Sequence, residues 1–168
     1  MNRKLFILAV FTFYLFKVQA QEAIIYDIKI QGNKKTKVSF VKRILHSKNG
    51  QILDSIKLNK DMALLKRQPA ISHAYYQVFH SHSNLYNVFI YIEENFTIIP
   101  FANVYTTNNE EFAYRIGLNE FNFLGYGINL GGFFQRDIYN SYAFNFRAPY
   151  LFGQKSGLAF NYQNLTTL

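Results

Sequence analysis

Phe112-Ala113-Tyr114-Arg115-Ile116-Gly117-Leu118-Asn119 puts each large apolar side chain at an even position and each small or polar one at an odd position. Side chains on a strand alternate faces, so this stretch predicts a strand with one apolar side and one small or polar side. The rhythm returns three times. Ile128, Leu130 and Phe134 alternate with Asn129, Gly131 and Gln135; Tyr142, Phe144 and Phe146 with Ala143, Asn145 and Arg147; Leu158, Phe160 and Tyr162 with Ala159, Asn161 and Gln163. Passes of this kind fit the wall of a transmembrane β-barrel, in which the apolar side meets lipid and the other side a wet lumen. Tyr114, Ile116, Leu118, Ile128, Leu130, Phe144, Phe146, Leu158 and Phe160 are the expected lipid-facing residues.

The composition suits such a wall. Eighteen Phe and thirteen Tyr, with no Trp, favour strands and interfacial aromatic girdles. The lack of Cys excludes a disulfide scaffold, a thiolate metal site, a cysteine nucleophile and lipid attachment at cysteine. Arg3 and Lys4, an apolar run from Leu5 to Phe16, and Val18 and Ala20 before Gln21 have the organisation of an export signal, so residues 1–20 are expected to be removed. A spanning helix needs about 20 apolar residues, and Lys17 interrupts this run. No later stretch is apolar for long enough, so membrane insertion must use strands. The formal charge of +8 becomes +5 without Arg3, Lys4 and Lys17. The excess is local, with eleven Lys or Arg from Lys29 to Arg67 against Asp54 and Asp61 alone. Such a block reads either as a solvated helical surface or as a face for anionic lipid headgroups or an acidic partner. Nucleic acid is a poor partner for an exported chain.

Ahead of the wall the periodicity changes. Ile24, Tyr26, Ile28 and Ile30 alternate with Ile25, Asp27, Lys29 and Gln31 up to the turn pair Gly32-Asn33. A helix is expected next, capped by Thr36, with Val38, Val41, Ile44 and Leu45 on one face and Asn49-Gly50 as its stop. A second helix, capped by Asn59 and carrying Met62 and Leu65 inward, should end at Pro69. Ala74, Tyr76 and Val78 mark one further strand and Tyr86, Val88, Ile90 and Ile92 another, joined by a polar turn at 81–84. The order is strand, helix, helix, strand, strand. Helices on one face of a small sheet would bury the apolar halves of all five elements.

This order, the strand running into Gly32-Asn33 with Thr36 close behind, the Lys48-Asn49-Gly50 break and the Met62 to Leu65 helix together resemble a POTRA domain over residues 24–94. One departure is that Pro69 and Ile71 stand where the family often has a glycine and an aromatic. Asn122, Phe123, Leu124, Gly125, Tyr126, Gly127 and then Pro149, Tyr150, Leu151, Phe152, Gly153 resemble the turns after early barrel strands in the BamA type of outer-membrane assembly protein, the bacterial surface antigen family. Glycine permits backbone angles closed to other residues, and proline suits a strand end because it cannot donate to a ladder. Asn122, Leu124, Gly125, Gly127, Pro149 and Gly153 are thus the turn-motif residues. The expected architecture is an α+β POTRA domain at 21–94, then antiparallel transmembrane β-barrel strands at 95–168.

The resemblance implies a non-enzymatic role in inserting or translocating proteins at the bacterial outer membrane, with the POTRA domain in the periplasm. It implies as partners membrane lipid, unfolded outer-membrane protein precursors and assembly lipoproteins. An exposed edge strand offers N–H and C=O groups to a passing extended chain. His73, Ala74, Tyr75, Tyr76, Gln77, Val78 and Phe79 are the expected peptide-binding edge. The barrel of a secretion transporter with one POTRA-like unit is an alternative, and so is a soluble periplasmic binding module. Bacterial barrels close with about eight or more strands. Residues 100–168 hold five candidates, and Leu168 is not the aromatic expected at a barrel's end, so a fragment or truncated copy unable to insert alone is expected.

Other sites are weaker. His80 and His82 could share a metal from one side of a strand, but no Cys or nearby carboxylate completes the ligand set. Glu93-Glu94 and Glu110-Glu111 point oppositely within each pair, which suits charged strand ends better than acid–base work. No nucleophile elbow, phosphate loop or dinucleotide fingerprint is present, and no cofactor is expected.

Overall fold

The computed structural model describes residues 22–108, 110–153 and 156–166; the expected export signal lies outside the described residues. In chain order the elements are β1 (Ile24–Gln31), α1 (Val38–Ile44), α2 (Ser55–Lys66), β2 (Ile71–His82), β3 (Leu85–Glu94), β4 (Ile98–Thr106), β5 (Phe112–Phe123), β6 (Ile128–Arg136), β7 (Asn140–Ala148) and β8 (Leu158–Asn164). They form two sheets, ordered β1-β3-β2 and β4-β5-β6-β7-β8. In the first, β1 runs parallel to β3 and β2 antiparallel to it. The second is an antiparallel meander, unclosed among the described residues.

Two helices cover one face of the first sheet. Ile25 and Ile28 of β1 and Val88, Ile90 and Ile92 of β3 meet Phe40, Val41 and Ile44 of α1 and Leu58, Met62 and Leu65 of α2 in one buried cluster. Each such side chain gains about 1.5–3 kcal/mol from leaving water. Val38, expected on the buried face of α1, is instead partly exposed, and Phe40 takes its place in the core. Helix spacing explains the exchange, because Phe40, Val41 and Ile44 form one i, i+1, i+4 stripe from which Val38 is displaced.

The helix ends correct three expectations. The first helix has Lys37 at its N-cap, with no side-chain bond there, while Thr36 is buried and its hydroxyl bonds elsewhere. The second starts earlier than Asn59 because Asp54 caps it, its Oδ1 accepting the N–H groups of Ile56 at 2.8 Å and Lys57 at 3.2 Å. The first also ends at Ile44, well before Asn49 and Gly50. Its stop is a carboxylate: fully buried Asp61 on α2 accepts the N–H groups of His46 at 2.7 Å and Ser47 at 2.9 Å, with His46 Nδ1 at 2.8 Å. Asn49 and Gly50 serve β1 instead. Asn49 Oδ1 accepts the Ile28 N–H, and the Gly50 N–H reaches the Ile25 carbonyl.

In the second sheet, residues 101–106, by sequence the least regular of the five candidate strands, belong to β4, which pairs without a break along β5 from Ile98 to Thr106. Register puts Ile116 beside Phe134, Gly132 between Leu118 and Phe144, and Phe146 between Leu130 and Phe160. The nine apolar residues singled out above share this face, and Ile116, Leu118, Phe144, Leu158 and Phe160 are 43–55% exposed. The opposite face departs from a purely small or polar lining, because Phe101 and Phe133 lie on it. Phe101 fills the gap over its cross-strand partner Gly117, where a Cβ would collide with the ring. Arg115 lies flat on Phe133, 3.7 Å from the ring centroid.

Burial pushes the Asp61 carboxyl upward, but the bonds from His46 and Ser47 outweigh this and hold it below its ordinary value. A carboxyl depressed by folding stabilises above its unfolded pKa, and the gain is lost as pH falls through the folded value. Asp61→Ala should therefore cost about 1–3 kcal/mol at pH 7 by leaving buried N–H groups unpaired. Urea unfolding in detergent, followed by circular dichroism, should show the gap to wild type narrowing below about pH 4.

Candidate functional site: an open strand edge and a domain joint

The two edges of the first sheet differ. The outer edge of β1 is covered in its first half by residues 49–53: the Ile25 N–H bonds to the Gln51 carbonyl at 2.8 Å, Gly50 N–H to Ile25 at 2.7 Å and Leu53 N–H to Ala23 at 2.8 Å, with Asn49 Oδ1 reaching as far as the Ile28 N–H. By contrast β2, which carries His73 to Phe79, is laddered only to β3, and no other described segment pairs with its outer side. Natural edge strands are commonly blunted by Lys, Pro or inward charges. Ile71–His82 contains no Lys, Arg, Asp, Glu or Pro.

Side chains flank this edge on both faces. Away from the helices, Tyr75 stacks on Tyr91 with centroids 4.9 Å apart, Phe79 stands edge-on to Phe89 at 5.4 Å, and Lys29 lies over Phe89. On the helix side Ala74 is buried, Tyr76 half-buried and Val78 partly exposed, while Gln77 is exposed. The two histidines at its end pack against different rings, His80 on Tyr86 and His82 on Tyr26.

The second feature is a joint between the two sheets, built from residues that the sequence marks as turns. Leu124, Gly125 and Gly127 have positive φ, as a tight β5–β6 turn requires. The glycines do more than bend. A Cβ on Gly125 would strike the Lys35 carbonyl oxygen, and one on Gly127 would strike the Phe40 ring. The turn is seated directly on the chain that leads into α1, where the Lys37 N–H donates to the Gly125 carbonyl at 2.9 Å. Buried Asn122 ties the two together, its Nδ2 donating to Thr36 Oγ1 at 3.0 Å and its Oδ1 accepting the Gly127 N–H at 2.9 Å. Leu124 points away and is exposed.

Pro149 directly follows the last residue of β7. The turn after it also docks: Arg43 Nη1 donates to the carbonyls of Tyr150 at 3.2 Å and Leu151 at 3.3 Å, Gln68 Nε2 reaches the Tyr150 hydroxyl, and the Tyr150 ring meets Phe40 edge-on. Gly153 has a positive φ and no close neighbour, so only backbone freedom is at stake there.

Glu94 is the joint residue that sequence reasoning missed. Read as a charged strand end, it instead accepts three backbone N–H groups, from Lys34 at 3.0 Å, Lys35 at 2.9 Å and Thr36 at 2.7 Å. Burial pushes its carboxyl up, but the bonds from Lys35, Thr36 and Lys34 hold it below the usual range. The Lys35 side chain then crosses to Glu120 Oε2 at 2.6 Å and Thr97 Oγ1 at 3.2 Å. Nothing local in the sequence signals this, because the partners are 58 to 85 positions apart.

A small α+β domain with two helices on a β1-β3-β2 sheet, seated on the turns of an antiparallel meander, defines a class of proteins in which a POTRA-like domain precedes an antiparallel sheet. The POTRA family model, "Surface antigen variable number repeat", matches residues 23–78. Among solved structures, BamA from Haemophilus ducreyi lacking POTRA domains 1–3 is similar with a TM-score of 0.69 at 20% identity, over 83% of this chain and 27% of that one. CdiB from Acinetobacter baumannii is similar with a TM-score of 0.54 at 16% identity, over 84% of this chain and 28% of that one. No curated protein matches. The chain thus carries a POTRA domain and has the fold of the BamA-type surface antigen family, spanning little more than a quarter of the length of those two structures.

Gly125→Ala places a methyl group against the Lys35 carbonyl at φ 81°. It should loosen the joint by more than about 1 kcal/mol. Trypsin cleavage at Lys34 and Lys35 should accelerate roughly tenfold while the circular dichroism spectrum stays as in wild type.

Proposed function

We propose that this chain acts at the bacterial outer membrane in the insertion or translocation of other polypeptides, with its POTRA domain in the periplasm capturing extended precursors by strand addition on β2. The carrying observation is the asymmetry of the first sheet: β1 is covered over its first half by its own chain, while the outer side of β2 has no ladder partner among the described residues and carries no Lys, Arg, Asp, Glu or Pro to repel one. An incoming strand would bind mainly through main-chain bonds, with alternate side chains resting on Tyr75 and Phe79. Sequence would be read weakly, as suits a protein that handles many precursors.

Lipid is the natural cover for the apolar face of the second sheet. Tyr114, Ile116, Leu118, Ile128, Leu130, Phe144, Phe146, Leu158 and Phe160 would face hydrocarbon, and Asn119, Asn129, Asn145 and Asn161 the aqueous side. An open sheet edge in hydrocarbon leaves backbone groups unpaired at several kcal/mol each, so β4 and β8 need partner strands in the working assembly. The role is mechanical and needs no catalytic residue. The likeness to BamA supports assembly, and the likeness to CdiB supports a secretion transporter built on the same plan. Assembly lipoproteins are candidate helpers on the periplasmic side.

Neighbouring residues on an edge strand direct their N–H groups alternately to the ladder and to solvent. One of Gln77→Pro and Val78→Pro should therefore remove a donor from the free edge without cutting the β2–β3 ladder. That variant should lose most photo-cross-linking between β2 and an unfolded barrel precursor while keeping its circular dichroism spectrum. Unchanged cross-linking in both variants would reject strand addition.

A further inference from the structure

The basic block at 29–67 is only partly used by the joint, and its remainder is not evenly spread. We propose that the cleft between α1 and the β7–β8 turn binds the phosphate of an anionic phospholipid in the periplasmic leaflet. This rests on the membrane reading of the second sheet and adds a headgroup site to it.

The cleft, about 250 Å3, is lined by Ile128 and Ala148 from the apolar face of the sheet, by Tyr126 and Tyr150, and by Arg43. Hydrocarbon lining thus passes directly into amphipathic rings and then into a cation, the sequence of environments that a lipid presents from tail to headgroup. Tyrosine at such a level matches the aromatic belts of membrane proteins, with an apolar body and a polar tip. Arg43 is held in place there. Both of its bonds to the Tyr150 and Leu151 carbonyls leave from Nη1, and Tyr126 lies 5.9 Å from its guanidinium carbon. Arginine has five N–H donors, so Nε and Nη2 are left for a phosphate.

Arg43 also lines a second, wider cleft with His46, Lys48, Lys57 and Phe152. The ammonium groups of Lys48 and Lys57 each make one bond, to the Lys42 carbonyl and to Gln51 Oε1, both at 2.6 Å. Two donors remain on each. Among the described residues no carboxylate lines either cleft, and Asp61 sits fully buried behind His46 with its oxygens engaged. Phe152 is 78% exposed on the turn beside these cations. A free aromatic ring next to a basic cluster suits the headgroup level of a bilayer, where apolar contact and anionic attraction act together. An acidic polypeptide would satisfy the cations but not the continuity with Ile128 and the apolar face.

The test uses the full chain diluted from detergent into vesicles, one set of phosphatidylcholine alone and one with a quarter of phosphatidylglycerol, and reads binding by flotation. Wild type should bind the anionic vesicles about tenfold more tightly. Lys48→Gln with Lys57→Gln should lose most of that gain, while Lys60→Gln with Lys66→Gln, an equal charge change outside the clefts, should keep it. Equal binding to both vesicles, or an equal loss in the Lys60/Lys66 pair, would overturn the headgroup site while leaving the membrane sheet intact. Binding to neither vesicle would remove the membrane reading and the site with it. Displacement from anionic vesicles by soluble polyglutamate would assign the cleft to an acidic polypeptide and overturn the lipid assignment.

Discussion

Every strand edge carries N–H and C=O groups that must be paired by protein, water or a partner, and in hydrocarbon water is no longer available. This accounting orders the whole molecule. On the first sheet, Gly50, Gln51 and Leu53 satisfy the first part of one edge from within the chain. The outer side of β2, the other edge, has no ladder partner among the described residues. In the second sheet the meander pairs each strand with its neighbour, so that only the outer sides of β4 and β8 remain. The same backbone chemistry therefore leaves one edge of the first sheet and two of the second open among the described residues.

Between the two sheets the chain combines carboxylates and glycines with the packing of Tyr126 and Tyr150 on the apolar core. Glu94 gathers the Lys34, Lys35 and Thr36 amides, fixing the loop that enters α1. That loop is then met by Asn122 and by a turn whose glycines permit backbone approach to within a hydrogen bond. Phe40 lies at the meeting point, fully buried, with Tyr150 against its ring and Gly127 beneath it. The helix that completes the POTRA core is thus also the helix on which the turns of the second sheet rest. Movement of one sheet relative to the other would have to break charge-assisted bonds as well as aromatic packing.

Some of this was legible in residue order. Alternation at 112–118 and 142–146 specified strands and their apolar faces, because a two-residue period is a local property of extended backbone. Gly125, Gly127 and Pro149 announced turns for an equally local reason. The helix caps were less legible: Thr36 and Asn59 have the right chemistry for an N-cap, yet Thr36 bonds to Asn122 and Asp54 pre-empts Asn59. A capping residue is chosen by competition with tertiary partners, and those partners lie far along the chain. Phe101 on the inner face follows the same logic, since Gly117 on the next strand opens the space it fills.

By itself, then, the sequence determined the two kinds of element, their order, the apolar stripe of the second sheet and the glycines at its turns. Each follows from side-chain period or from backbone freedom within a few residues. Only the tertiary structure decided which edge of the first sheet stays open, that Glu94 and Asp61 serve as acceptors for distant amides, and that Arg43 meets both turn carbonyls and the foot of the apolar face. Those outcomes depend on groups brought within about 3 Å from remote parts of the chain, where hydrogen bonding and burial act but sequence distance has no meaning.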